Sequence, residues 1–174
     1  MKIISWNVRG LGNSRMRLAI KKILHLYKPQ LIFFCETKLS SRQVNDVCRE
    51  LGIENCLMVD CRGKSRGLAM LWSSEITVQI TSYNNHHIDP KIQNANGRNW
   101  RWTSIYGHPK ASQKKHTWSL LRRLVGLNKK IGGLDRNAKM VAEFRESVKD
   151  CKLVDVGCRG HPFTRSNRHF GPII

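Results

Sequence analysis

The spacing of apolar and polar residues changes period along the chain, and each change marks an element. Lys2 to Val8 is short, β-branched and aromatic, and Gly10-Leu11-Gly12-Asn13 stops it, which predicts a first strand. From Arg15 to Tyr27 the period lengthens to that of a helix. Leu18, Ile20, Ile23, Leu24 and Tyr27 fall mostly on one face, with Arg15, Arg17, Lys21, Lys22 and Lys28 around the others, and Pro29 ends the segment. Leu31 to Glu36 is a nearly continuous apolar run, the pattern of a strand buried on both faces. Ser40-Ser41-Arg42-Gln43 is a capping-box pattern and opens a second helix that ends at Leu51-Gly52.

The middle of the chain reads as strands. Cys56 to Cys61, Gly67 to Trp72 and Ile76 to Tyr83 have the composition for it. His86 to Gln93 is a weaker strand, and Pro90 inside it predicts an edge or a bulge, because proline cannot donate to the ladder. After a turn at Asn94 to Asn99, Trp100 to Tyr106 alternates: Arg101, Thr103 and Ile105 oppose Trp100, Trp102, Ser104 and Tyr106. The rhythm then changes. Ser112 to about Leu127 is amphipathic through Trp118, Leu121, Leu124 and Val125, and it runs into Lys129-Lys130-Ile131-Gly132-Gly133. A further helix starts near Asp135 or Asn137, with Val141, Phe144 and Val148 as its stripe, and Leu153 to Val156 is a brief strand. The order βαβα, then several strands, then two helices predicts a mixed α/β domain.

Composition narrows the function classes. The chain has 174 residues and is 40% hydrophobic, which suits one packed domain and excludes wholesale disorder. No apolar run approaches the roughly 18 residues of a membrane helix, and the first apolar stretch is too short for a signal peptide, so an intracellular protein of nucleus or cytoplasm is expected, with no membrane contact. Thirty-one Lys and Arg stand against 12 Asp and Glu, a net charge of +19. The excess is spread through the chain: residues 1–109 carry 16 basic and 7 acidic side chains, residues 110–174 carry 15 and 5. Such a surface attracts a polyanion, most simply nucleic acid, through phosphate neutralisation. The six cysteines contain no CxxC pair, so neither a zinc ribbon nor a thioredoxin site is indicated.

Candidate chemistry sits at strand ends. Asn7 ends the first strand, Glu36 ends the second, and Tyr106 ends the Trp100 strand. A carboxylate on such a rim can hold Mg²⁺, while an amide and a phenol can bind phosphate oxygens. The run Ile4-Ser5-Trp6-Asn7-Val8-Arg9-Gly10-Leu11-Gly12, then Cys35-Glu36-Thr37-Lys38, then Tyr106-Gly107-His108-Pro109, resembles the endonuclease/exonuclease/phosphatase superfamily. More closely it resembles the endonuclease domain of plant LINE-type (non-LTR) retrotransposons. Gly160-His161-Pro162-Phe163-Thr164-Arg165-Ser166-Asn167 is similar to that family's segment ending in Phe-Thr-Trp-Ser-Asn.

The resemblance implies a four-layer α/β sandwich of two packed sheets flanked by helices. It implies Mg²⁺-dependent phosphodiester hydrolysis, with Mn²⁺ as a substitute, and nicking of DNA that primes reverse transcription. By matching position, Glu36 is the metal carboxylate, Asn7 helps to organise the metal and phosphate site, and Tyr106 contacts the phosphate. Thr164 and Asn167 fall in a late motif of less defined role. The expected partners are DNA and, second, RNA; a reverse transcriptase belongs to the full-length ancestor and is absent here.

The departures from the pattern matter as much. The family's Gly-Asp-Phe-Asn occurs nowhere in the chain, and Lys129 to Gly133 joins two helices where its strand should be. The closing Ser-Asp-His motif is absent as well, and Arg165 replaces the usual Trp. The missing Asp positions and activates water, and the missing His completes the phosphate site. The expectation is a domain with a near-complete first half, residues 1–109, and a degenerate second half, residues 110–174. Metal binding would be weak or absent and hydrolysis lost. Two further readings stay open: a non-catalytic nucleic-acid-binding remnant, and a phosphodiesterase or phosphatase acting on a small phosphorylated substrate.

Overall fold

A computed structural model describes residues 1–53, 55–60, 67–108, 111–125 and 138–152. By its contacts the chain divides into two units, Met1–Thr117 and Trp118–Ile174. The first unit begins with β1 (Ile3–Asn7), α1 (Ser14–Tyr27), β2 (Leu31–Cys35) and α2 (Ser41–Glu50). It continues with β3 (Asn55–Val59), β4 (Leu68–Trp72), β5 (Ile76–Asn84), β6 (His87–Asn94), β7 (Asn99–Arg101) and β8 (Ser104–Ile105).

One sheet has the order β1-β2-β4-β3. β1 and β2 run parallel, joined through α1, with Asn7 opposite Cys35; β4 is antiparallel to both β2 and β3. β2 is buried on both faces, as its unbroken apolar run requires. Ile32 and Phe34 face α1 and α2, meeting Ile20, Val44, Val47 and Cys48 in one cluster. Leu31 and Phe33 face the second sheet, meeting Leu68, Met70, Ile76, Ile88 and Ile92 in another. The described layers are therefore helices, sheet, sheet, and the α/β sandwich class expected from the sequence is the one observed.

Three readings change in detail. The first concerns α1: Leu18 is 56% exposed and Tyr27 52% exposed, and the stripe that packs is Met16, Ile20 and Leu24. Arg17 and Lys21 reach across the surface to Glu50 of α2, each at 2.9 Å. Second, β6 is central, not an edge. It pairs β5 on one side and β7 and β8 on the other. The bulge that proline demands is present, but the register shift lies on β5 between Ile80 and Ser82, opposite Pro90 and Asp89. Pro90 still accepts a bond at its carbonyl from Trp102 N at 3.1 Å. Third, the Trp100–Tyr106 strand is cut in two. Asp89, fully buried, takes Arg101 and Thr103 by their side chains, and Trp102-Thr103 leaves the ladder between β7 and β8.

In the second unit α3 (Lys114–Val125) begins within the first and follows a short 3-10 turn at Ala111–Gln113. Leu120, Leu121 and Leu124 are buried. α4 (Ala138–Asp150) meets it through Trp118 and Phe144, whose ring centroids are 5.2 Å apart, and through Arg122 and Asp150 at 3.1 Å. The Leu153–Val156 strand, the Lys129–Gly133 joint, Thr164, Arg165 and Asn167 lie outside the described residues.

Candidate functional site

Parallel pairing puts the C-terminal ends of β1 and β2 at the same rim of the sheet, and backbone bonds carry the pairing past the last ladder residues. Val8 N donates to Cys35 O at 3.0 Å, Gly10 N to Glu36 O at 2.8 Å and Leu11 N to Thr37 O at 2.8 Å. Thr37 N in turn donates to Gly67 O at 3.1 Å. The two loops after β1 and β2 are thus sewn together rather than free.

The stitching imposes an unusual backbone. Arg9, Glu36 and Lys38 have φ of 49°, 57° and 56°. L-residues rarely occupy this left-handed region, at a cost on the order of 1 kcal/mol each. The turn at Glu36 carries its carboxylate away from the strand path and back over β1. There Asn7 Nδ2 donates to Glu36 Oε1 at 2.8 Å. The Asn7 amide is oriented by its other end, because Oδ1 accepts from Arg9 N at 3.2 Å. Tyr106 arrives from the second sheet, two strands of which pack across the core, and its hydroxyl donates to the same Oε1 at 3.1 Å. The structure therefore brings together Asn7, Glu36 and Tyr106, which the sequence places 29 and 70 residues apart along the chain.

The Cys35 thiol, next to Glu36 in the chain, is pushed up to about 11, first by burial and then by the negative charge on Glu36. A thiol in that state is no nucleophile near neutral pH.

The donor set can be tested against a divalent cation. Both hydrogen bonds land on Oε1 of Glu36, and the amide oxygen of Asn7 accepts from Arg9 N but keeps a second lone pair, so the oxygens of Glu36 and Asn7 are the ones this corner could offer a cation. Among the described residues no group of three His, Cys, Asp or Glu converges as a metal cage. A hard cation that keeps its waters and relies on substrate phosphates fits one carboxylate of this kind; a closed all-protein site does not.

Sequence reasoning missed the surroundings of Tyr106. Tyr106 N donates to His86 O at 2.8 Å, and His86 Nδ1 lies 3.2 Å from Tyr106 O. His86 stacks on His108, with ring centroids 3.8 Å apart, and His108 is anchored through its N–H to Thr117 Oγ1 at 3.0 Å. No local signal announces this stack, since its members are 22 residues apart.

A family model described as the Endonuclease/Exonuclease/phosphatase family matches residues 4–141, well over half of the chain and all three clustered residues. The chain belongs to the endonuclease/exonuclease/phosphatase family. No curated protein matches it as a relative. Among solved structures, the AP endonuclease LMAP from Leishmania major is 13% identical with a TM-score of 0.55, over 86% of this chain and 66% of that one. TDP2 from D. rerio, complexed with a single-strand DNA product, is 20% identical with a TM-score of 0.54, over 71% and 52%. The 3′ phosphatase NExo from Neisseria, bound to a product DNA hairpin, is 17% identical with a TM-score of 0.50, over 72% and 51%. At such identities the likeness concerns the endonuclease/exonuclease/phosphatase fold. This chain spans between about half and two thirds of the length of those neighbours. Among the described residues no helix is long and apolar enough to cross a membrane.

Proposed function

We propose that this chain grips the sugar–phosphate backbone of nucleic acid, DNA first and RNA second, at the Glu36 corner, as a LINE-type retrotransposon endonuclease domain that has lost effective hydrolysis. The observation that carries the reading is the Glu36 carboxylate clamped by Asn7 and Tyr106 in a member of a nuclease-containing family. The +19 charge favours a polyanion over a small phosphorylated metabolite. Two of the solved neighbours hold DNA, which supports the same choice of partner.

In this reading Asn7 holds Glu36 in one orientation, so the carboxylate meets its ligand without reorganising. Tyr106 can turn its hydroxyl from Glu36 to a phosphate oxygen, since a phenol donates one proton to one acceptor at a time. Mg²⁺, held by Glu36 with water and phosphate completing its shell, would supply positive charge at that phosphate. Hydrolysis needs more. The Gly-Asp-Phe-Asn segment that would bring the water-activating Asp is absent from the sequence. General-base assistance is worth about 10²–10⁴ in rate. Residues 1–109 then act as a near-complete binding half, and residues 110–174 as a degenerate one.

The purified chain should leave supercoiled plasmid un-nicked in Mg²⁺ relative to a protein-free control. It should bind a labelled DNA duplex with an affinity that falls steeply between about 50 and 200 mM salt. Mn²⁺ titration followed by electron paramagnetic resonance should show weak binding that Glu36→Ala removes. Nicking that disappears in Glu36→Ala would refute the loss of hydrolysis, and salt-independent affinity would refute phosphate gripping.

A further inference from the structure

The cysteines carry no paired spacing in the sequence, yet folding brings two of them together. Cys48 lies in the last turn of α2, and Cys56 is the second residue of β3. The turn between them is closed by its own backbone. Leu51 N donates to Val47 O at 2.9 Å, and Ile53 N donates to Cys48 O at 3.0 Å. The chain therefore reverses tightly, and β3 packs against the helix it has just left. Cys48, 2% exposed, belongs to the core cluster under α1 and α2, and half-buried Cys56 packs against that cluster.

Two contacts fix how the thiols meet. Asn45 and Cys48 share one side of α2, being a single helical turn apart. Cys56 Sγ donates to Asn45 Oδ1 at 3.7 Å, and the Cys48 thiol is in hydrogen-bond contact with Cys56. Cys56 thus stands over that side of the helix, thiol to thiol with Cys48. The other described thiol of this unit, Cys35, turns instead to Trp6 O at 3.8 Å. The opposite end of the helix–strand pair is tied as well. Asp60, just past β3, accepts from Ser41 N at 2.6 Å and from Ser41 Oγ at 2.5 Å. β3 is the outer strand in the order β1-β2-β4-β3, so among the described residues β4 pairs with one of its edges and α2 covers one of its faces.

We infer that Cys48 and Cys56 form a dithiol modification site, which hydrogen peroxide closes into a disulfide that staples β3 to α2. The site is independent of the Glu36 corner and of nucleic-acid binding. Burial keeps Cys48 protonated, so half-buried Cys56 is the sulfur that reacts first. The Cys56 sulfur attacks one peroxide oxygen, the O–O bond breaks, water leaves and a sulfenic acid remains. The Cys48 sulfur then displaces the hydroxyl of that sulfenic acid, and the Cys48 proton leaves with it as a second water. Two thiols have lost two electrons and two protons, and the peroxide has taken both. Exchange with an added dithiol such as dithiothreitol reverses the bond.

The test treats the reduced full chain with an equimolar amount of hydrogen peroxide, alkylates it, and digests it with trypsin without reductant. Cleavage after Arg49 separates the two cysteines, so a disulfide joins two peptides that mass spectrometry reads as one species. Cys61 follows Cys56 in the same peptide, and fragmentation between them assigns the bond. The expected result is Cys48–Cys56 as the dominant cross-link, with a melting temperature higher by about 5–10 °C and both effects removed by dithiothreitol. Cys56→Ala, at the half-buried position, should lose the cross-link and the rise. Cys48→Ala should leave the Cys56 sulfenic acid open to capture by dimedone, a mark that the unsubstituted chain should not retain. A dominant bond to another cysteine, or dimedone capture at Cys56 in the unsubstituted chain, would overturn the pairing. A confirmed Cys48–Cys56 bond that leaves the melting temperature unchanged would overturn the staple.

Discussion

Asp89 is buried within the second sheet and holds Arg101 and Thr103, so removing it tests how much that buried cluster stabilises the sheet. Its carboxylate is 0% exposed on a central strand. Arg101 donates to it through Nε at 3.1 Å to each oxygen and through Nη2 at 2.5 Å, and Thr103 adds its hydroxyl. Removing one partner of a buried pair typically costs about 3–5 kcal/mol, because the other charge is left without compensation. The Arg101 side chain is 17% exposed, so its guanidinium regains some water and the lower end applies. The Thr103 hydroxyl loses its acceptor for about 1 kcal/mol more. Asp89→Ala should therefore cost about 3–4 kcal/mol, much of the 5–15 kcal/mol that holds an ordinary domain. At about 2–4 °C per kcal/mol for a chain of this size, the melting temperature should fall by roughly 6–16 °C.

The assay is circular dichroism melting, repeated in urea to obtain the free energy directly. The double variant Asp89→Leu with Arg101→Leu is the second arm. It removes both charges, and an apolar pair of similar volume should recover a large part of the loss. A drop of less than about 2 °C in Asp89→Ala would show that the pair is not holding the sheet. A double variant no better than Asp89→Ala would show that packing around β6, and not the unpaired charge, sets the cost.

Two further outcomes are expected. Ser40→Ala should destabilise the chain by about 0.5–1 kcal/mol by thermal melting. The low figure follows from the long 3.5 Å bond from Gln43 N to the Ser40 hydroxyl and from the Gln43 side chain, which still accepts from Ser40 N at 3.0 Å; a loss above about 2 kcal/mol would contradict it. Alkaline pH should destabilise the fold through its buried thiols. Burial, and then Cys56, pushes Cys48 up to about 12, and Cys35 stands at about 11. A raised folded value means that the contribution is complete below the unfolded thiol range and is lost as pH rises from about 9 through 11 to 12. Melting curves across that window should be flatter in Cys48→Ala, and identical pH dependence in the two proteins would refute the assignment.

What was legible in the sequence was what neighbours along the chain determine. The apolar run at Leu31 dictates a doubly buried strand, and a short helical crossover between two such strands dictates parallel pairing, so Asn7 and Glu36 had to share a rim. What was not legible depends on side chains that meet only after folding. Periodicity alone cannot choose between two adjacent stripes of α1, and Leu18 lost to Met16 because the sheet presents Phe34 and Ala69 to one stripe and nothing to the other. The break between β7 and β8 is set by Asp89, 12 and 14 residues before the partners it captures. The loop after β1 shows the same limit most sharply. Gly10 invites the whole left-handed turn to be assigned to glycine, and its φ of 119° bears part of it. Yet Val8 N and Gly10 N must reach the carbonyls of two consecutive residues, Cys35 and Glu36, and that double reach also forces Arg9 to φ 49°. The strain at Arg9 is a consequence of pairing two loops, so it has no signature in either loop read alone.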